Sequence, residues 1–354
     1  MRHWLIGLVL GSVYLWAYAA SFSAGYVYED RAYVDRQPGL SAAPFGPRSL
    51  TNQSFLLQEE ASPLAHHAVN LALNMLVAAL VGCWLLSVGR SSNAAWCGVG
   101  LILWHPLSTE ATAYVAGRGD LIATAIAIAA CWAAAVGRRS RASMVVASLL
   151  SVLAGAGKDV GLTACALVPA TLAVYRCWRR VVASTVAIFV LGLLAWGQHA
   201  YNIVHWSIAG TSLGFVWKID HLVWLRWQAT AAVRMIGMVV VPKGMSVVFD
   251  VEAVPVSLQW LSVAWLVLLC LVAAWLVRRC AGAAAGLAWI LASILPRLFV
   301  QTPGSIFNEH QFYFAMPGVA LMLASAWDHY AIPHRAWTLD DALDGFAQRR
   351  SMTT

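Results

Sequence analysis

The stretch LAHHAVNLALNMLVAALVGCWLLSV, residues 64–88, decides the fold class. It runs for 25 residues without a single Asp, Glu, Lys or Arg, whereas a helix needs only about 20 apolar residues to cross the hydrocarbon core of a bilayer. Its few polar residues are not scattered. His67, Asn70 and Asn74 stand at i, i+3 and i+7, which places them on one helical face that must turn into a bundle rather than toward lipid. Such a stripe serves either interhelical hydrogen bonding or a site.

Outward from this run the pattern repeats. Further spanning runs lie at about 4–25, 94–107, 120–136, 142–157, 159–176, 181–203, 257–277, 281–297 and 311–328, several of them short and rich in Ala and Gly, as suits helices whose backbones approach closely inside a bundle. Ala17-Tyr18-Ala19 in the first run also has the form of a signal-peptidase site, so the first helix is either retained or removed. Of all 354 residues 60% are apolar and 11% charged, with a mean hydropathy of +0.69. A soluble domain carries about a quarter charged residues, so a water-soluble globular protein is excluded. The expected fold is all-α, a polytopic transmembrane bundle of about 10–12 membrane segments. The membrane module occupies 1–330 and a short polar tail 331–354. Seven cysteines, an odd number with no CxxC pair, give neither a zinc site nor a disulfide framework.

The net charge of +7 reports topology rather than nucleic-acid binding. With the N-terminus inside, the cytoplasmic turns hold Arg2, Arg90, Arg138, Arg139, Arg141, Arg176, Arg179, Arg180, Arg278, Arg279, Arg335, Arg349 and Arg350. Against these thirteen stand only Asp328, Asp340, Asp341 and Asp344. The opposite side receives ten basic and twelve acidic residues. This is the asymmetry of the positive-inside rule, and the reverse orientation violates it at nearly every turn. Both termini are expected in the cytoplasm. The stretch 204–256 must then cross an even number of times. Val223 to Val241 is apolar but carries Arg226 and Arg234, and a central Arg costs roughly 2.5–3.5 kcal/mol on insertion scales. A re-entrant or interface-lying helix, or a helical pair, is expected there.

With that orientation the ionisable residues gather at one face. Glu29-Asp30, Arg48, His66-His67, His105, Glu110, Arg118, Asp120, Lys158-Asp159, Arg226, Arg234 and Glu309-His310 come from nearly every external turn, most within a few residues of a helix end. Ionisable groups at a membrane rim are costly, and their convergence points to a functional cavity. Singly, each has a plainer explanation: Asp120 as a helix cap, Lys158 in a structural pair, Glu29-Asp30 as a solvated acid pair in the external loop 26–63. No Walker loop, dinucleotide-binding glycine pattern, HExxH or GxSxG occurs in a credible context. No ligand spacing argues for a metal ion, and metal dependence stays open.

These residues carry a resemblance. Arg48-Ser49-Leu50-Thr51-Asn52-Gln53-Ser54-Phe55 and His67-Ala68-Val69-Asn70 resemble the segments after the first membrane helix of the transmembrane, TPR-containing O-mannosyltransferases and their bacterial relatives in the GT-C superfamily. His105-Pro106, Glu110 and Arg118-Gly119-Asp120-Leu121 are similar to that family's His-Pro, Glu and Arg-Ala-Asp-Leu signature. Gly157-Lys158-Asp159-Val160-Gly161 resembles its Ser-Lys-Glu-x-Gly turn, and Asn308-Glu309-His310-Gln311-Phe312-Tyr313 its Glu-Arg-x-x-Tyr segment. There are departures. Glu29-Asp30 stands where the family has Asp-Asp, Asn74 and His310 replace a His and an Arg, Asp159 replaces a Glu, and the TPR array is missing.

The resemblance implies a GT-C fold and an inverting glycosyltransferase that takes its sugar from a polyprenyl-phosphate-linked donor on the extracytoplasmic face. It makes an acidic residue of the first external loop the base, either Glu29, which the family register favours, or Asp30. A carboxylate there would take the proton of the attacking acceptor hydroxyl. The leaving lipid phosphate calls for preorganised cations, for which Arg118, Lys158, Arg234 and His310 are the candidates. Arg48, His67, His105, Glu110, Asp120 and Glu309 would order the first loop and the sugar and acceptor pocket. The acceptor is a protein or a glycan, and the setting suggested is a bacterial inner membrane, with partners in a membrane complex. A different class fits the same residues: a noncatalytic GT-C-like subunit that binds polyprenyl lipid or scaffolds a complex.

Overall fold

The structure is a computed structural model that describes residues 2–26, 30, 34, 48–58, 60–137, 140–174, 178–209, 220–243, 250–299 and 312–331. Among these every regular element is helical. In chain order they are α1 (Arg2–Ala17), α2 (Ser49–Leu56), α3 (Pro63–Ser87), α4 (Ser92–Trp104), α5 (Leu107–Ala113), α6 (Arg118–Val136), α7 (Arg141–Gly157), α8 (Ala164–Val174), α9 (Trp178–Ala209), α10 (His221–Val240), α11 (Val256–Arg279), α12 (Ala281–Phe299) and α13 (Met316–Ala331). Short 3₁₀ turns at Ala19–Ser23, Val115–Gly117, Asp159–Thr163 and Tyr313–Ala315 join several of them.

The helix starts follow local chemistry. Ser62 precedes Pro63 and accepts a hydrogen bond from the Ala65 N–H at 3.4 Å, so the long apolar run begins on a capped first turn. Ser91 caps α4 through Ala94 N–H, and the Asp220 carboxylate caps α10 through Leu222 N–H at 2.7 Å. The centre is α3 packed between α4 and α6, with α6 in turn against α7 and α8, and α13 against α4 and α12. Close approach depends on small residues. Ala123, Ala127, Ala130 and Ala134 form one fully buried face of α6, and a Cβ added at Gly157 would lie 2.7 Å from the Ala123 nitrogen.

Three of these helical stretches are long and apolar enough to cross a membrane: Pro63–Ser87, Val115–Val136 and Val256–Val277. Shorter apolar helices cover Leu5–Ala17, Arg141–Gly157, Asp159–Leu172 and Ala281–Ile294. The sequence runs at 4–25, 94–107 and 159–176 thus appear as shorter helices ended by turns. The first stops at Ala17 and continues as a 3₁₀ turn, in which the Ser23 hydroxyl bonds the Ala20 carbonyl. α11 is the most exposed of the long apolar helices, presenting Trp260, Trp265, Leu268, Leu271 and Trp275 outward, a surface suited to lipid rather than water.

α10 occupies part of the expected 204–256 region. Val239 near its end holds His105 through its carbonyl, 3.1 Å from Nε2. Near its start the Arg226 guanidinium lies 5.6 Å over the Trp260 ring at the beginning of α11. Both tethers, the end of α4 and the start of α11, fall on the same side in the charge map.

Candidate functional site

Arg118 opens α6 and is completely buried. Its Nε donates to Asn70 Oδ1 at 2.9 Å, one terminal nitrogen donates to the Ser54 carbonyl at 3.2 Å, and the other donates to the His66 carbonyl at 3.2 Å and lies 3.1 Å from His66 Nδ1. The guanidinium also sits 4.2 Å over the Phe55 ring. One side chain therefore ties α6 to α2 and α3. Asn70 completes the corner by donating to the carbonyls of Tyr114 and Val115 at 2.9 and 3.3 Å. Arg118, expected among the cations for the donor phosphate, thus has internal acceptors on all three guanidinium nitrogens and no exposed surface.

Asp120, one helical turn into α6, is likewise buried, and its Oδ2 lies 2.6 Å from Lys158 Nζ. Lys158 thus pairs across the bundle with Asp120, not with its neighbour Asp159, which is exposed. The pairing follows from backbone packing: Thr51 Oγ1 donates to the Gly157 carbonyl at 2.6 Å, and a Cβ at Gly119 would meet that same carbonyl at 3.2 Å. Glycines at 119 and 157 let the start of α6, the end of α7 and α2 converge, and the ion pair closes over the junction. Asp30 completes the set. It is fully buried, its Oδ1 accepts from Ala116 N–H at 2.8 Å, and its charge acts on Arg118. Two cations and two carboxylates are thereby enclosed together, which is tolerable in a low dielectric because the charges are balanced and hydrogen-bonded.

Below this layer lies a neutral one. Tyr313 donates to Asn74 Oδ1 at 2.5 Å, Asn74 donates to Tyr14 Oη at 3.0 Å, and Tyr18 donates to Thr109 Oγ1 at 3.3 Å. The stripe on α3 thus divides by depth. Asn70 serves the charged layer and Asn74 the hydroxyl layer, while His67 is buried with neither ring nitrogen hydrogen-bonded. Asp120 Oδ1, His66 Nε2 and Ser108 Oγ are also buried without a hydrogen bond. Unsatisfied polar atoms are rare in native interiors and mark places where a ligand, a water or an ion completes the structure.

The other expected residues are dispersed. His105 ends α4; its Nδ1 accepts from Leu107 N–H at 3.2 Å, so its proton resides on Nε2 and is directed to Val239 O. Its role is to join α4, α5 and α10. Arg48 precedes α2 in a left-handed conformation, with φ of 62°, and Glu110 is half-buried in the first turn of α5. Arg234 is half-buried on α10. Glu29, Glu309 and His310 fall outside the described residues. Among the described residues no three His, Cys, Asp or Glu side chains gather as a metal site. Sequence reasoning places His66 in the gathering of ionisable residues and Tyr313 in a family-like segment without giving either a task, and does not single out Tyr14 or Tyr18. For His66 a signal was available, since two adjacent histidines open an otherwise apolar run.

Comparison with family models, with curated proteins and with solved structures finds no match to this chain.

Proposed function

We propose that the protein is an integral-membrane glycosyltransferase of the GT-C type. It would move a sugar from a polyprenyl-phosphate-linked donor to an acceptor hydroxyl on the extracytoplasmic face. The observation that carries this reading is the enclosure of Asp30, Arg118, Asp120 and Lys158 at one end of an apolar helical bundle, beside two buried histidines with ring nitrogens that make no hydrogen bond, Nε2 of His66 and both of His67. A membrane bundle gains little stability from such a set over apolar packing, and its atoms left without hydrogen bonds support a role in binding a ligand. In this reading the multi-pass module crosses the membrane about 10–12 times, both termini face the cytoplasm of a bacterial cell, and the acceptor is a protein or a glycan. Arg118 and Asp30 brace the first external loop, Asp120 holds Lys158, and Glu29, which the resemblance favours as the base, stands next to the anchored Asp30. Arg234 and His310 are the cations proposed to face the donor phosphate directly.

A second reading has its own support. Arg118 and Lys158 already have internal partners, as expected of a noncatalytic subunit that binds polyprenyl lipid or scaffolds a complex. Purified protein incubated with a polyprenyl-phosphate sugar and analysed by native mass spectrometry separates the two. With no other acceptor present, catalysis predicts slow transfer of the sugar to water in wild type, giving free sugar and bound polyprenyl phosphate, and a stable donor complex in Glu29→Gln. Identical, unconverted complexes in both proteins would establish the binding subunit instead.

A further inference from the structure

His66 is the buried group to which neither the resemblance nor the ion pairs assign a task. Its imidazole is 1% exposed and packs between Phe55, stacked at 5.8 Å, and Tyr26, edge-on at 5.8 Å. Its chemistry is nonetheless determined. A guanidinium has hydrogens and no acceptor, so the 3.1 Å approach of an Arg118 terminal nitrogen to Nδ1 means that Nδ1 accepts. A histidine with an accepting Nδ1 is neutral and carries its single proton on Nε2. That Nε2–H is buried and makes no well-aligned hydrogen bond, although the Gln58 carbonyl lies near enough to act on the ring. The ring is thus a donor with one end set by a cation and the other end unsatisfied.

Hydrogen bonds in a chain polarise one another. An imidazole that accepts from a guanidinium at Nδ1 becomes a stronger donor at Nε2, and a charge-assisted chain of this kind favours an anionic oxygen over a neutral one. We propose that Arg118 and His66 form a relay, in which His66 Nε2–H binds an anionic oxygen of the ligand while Arg118 positions the ring and supplies the charge from behind. Resting on the donor assignment above, the relay makes that oxygen one of the polyprenyl phosphate. It also accounts for a fully enclosed Arg118 in a site that must recognise an anion: the cation acts through its neighbour. Phe55 is held by the guanidinium 4.2 Å from its ring, which fixes that side of the imidazole.

The relay makes two separable claims. The first concerns the free protein. In full-length protein in detergent, with ¹⁵N-labelled histidine rings and His66 assigned by its loss in His66→Gln, the ring nitrogens should report the neutral Nε2–H tautomer. Arg118→Lys or Arg118→Met should shift that tautomer balance. A predominant Nδ1–H form in wild type overturns the relay. The second concerns the ligand, with undecaprenyl phosphate as the probe and native mass spectrometry as the readout. Gln places an N–H near the position of Nε2, whereas Asn reaches only as far as Nδ1. His66→Gln should bind close to wild type, and His66→Asn about tenfold more weakly, the scale of one charged hydrogen bond. Equal binding by the Gln and Asn variants overturns the relay while leaving the donor assignment standing. Failure of wild type to bind undecaprenyl phosphate overturns both the donor assignment and the anionic ligand of His66. Weakening confined to a sugar-bearing donor, with undecaprenyl phosphate unaffected, overturns the phosphate oxygen in favour of a sugar hydroxyl.

Discussion

The two ends of α3 bury a carboxylate in different ways. Just beyond its C-terminus, Asp328 of α13 uses both oxygens: Oδ1 accepts from Ser91 Oγ at 2.5 Å, Oδ2 accepts from Ser91 N–H at 3.0 Å, and Arg90 Nε lies 3.9 Å from Oδ2. The cluster locks α13 to the first turn of α4, and the Asp328 carboxylate needs nothing further. At the other end of α3, about 30 Å away along the axis, Asp120 uses one oxygen for Lys158 and leaves the other without a hydrogen bond, while His66 and His67 have ring nitrogens in the same condition. A cluster built only for stability completes itself from within, as the Asp328 carboxylate does. The Asp328 end also buries Trp84 Nε1 and Arg90 Nε without a hydrogen bond, so what sets the Asp120 end apart is that its open atoms belong to a carboxylate and to two histidine rings.

The sharpest way to break the comparison is at Lys158. Lys158→Met removes the cation and leaves the buried Asp120 carboxylate uncompensated, which should cost about 3–5 kcal/mol of stability. The thermal midpoint in detergent reads this directly. The double variant Asp120→Leu/Lys158→Met should recover most of the loss, because two apolar side chains replace a balanced pair. A double variant no more stable than the single one would mean that the pair's charges are not what the fold depends on.

At the opposite end Asp328→Ala should act on stability alone. It removes the acceptor for Ser91 and the partner of Arg90, a loss of about 1–2 kcal/mol on the scale of a helix cap with a charged hydrogen bond. Undecaprenyl phosphate binding should be unchanged when measured at a temperature where both proteins are folded. Loss of binding in Asp328→Ala would erase the distinction between the two ends.

How far the sequence carries this picture depends on what kind of fact is asked of it. The run 64–88 becomes α3 at Pro63–Ser87 within a residue at each end, because apolar length and a Ser-Pro start are local properties. That Asp30, His66, His67, Arg118, Asp120 and Lys158 lie toward one end is legible too, since ionisable groups between spanning runs have few places to go. Partnerships are not. Lys158 bonds Asp120, 38 positions away, rather than adjacent Asp159, and Arg118 faces inward to Asn70 and His66 rather than outward. Both outcomes depend on how closely α2, α6 and α7 approach, a distance set by glycines at 119 and 157 that carry no polar signal of their own. His66 stands at i, i+4 with Asn70 and so shares that face, which a stripe counted from His67 leaves out.

The smallest effect tests the neutral layer. Tyr14 is fully buried, accepts from Asn74 Nδ2 at 3.0 Å and donates to the Leu71 carbonyl at 3.4 Å, a long contact. Tyr14→Phe keeps the ring and its packing and deletes only these bonds. Hydrogen bonds between helices within a bilayer are worth about 0.6 kcal/mol on average, because helices dispersed in the membrane also find partners. The midpoint should therefore fall by much less than for either charged cluster. Asn74 keeps its bond to Tyr313, so the corner of α3 does not collapse. A loss rivalling that of Lys158→Met would show that the hydroxyl layer and the charged layer are one cooperative unit. Tyr14 would then belong to the site and not merely to the seam that attaches α1.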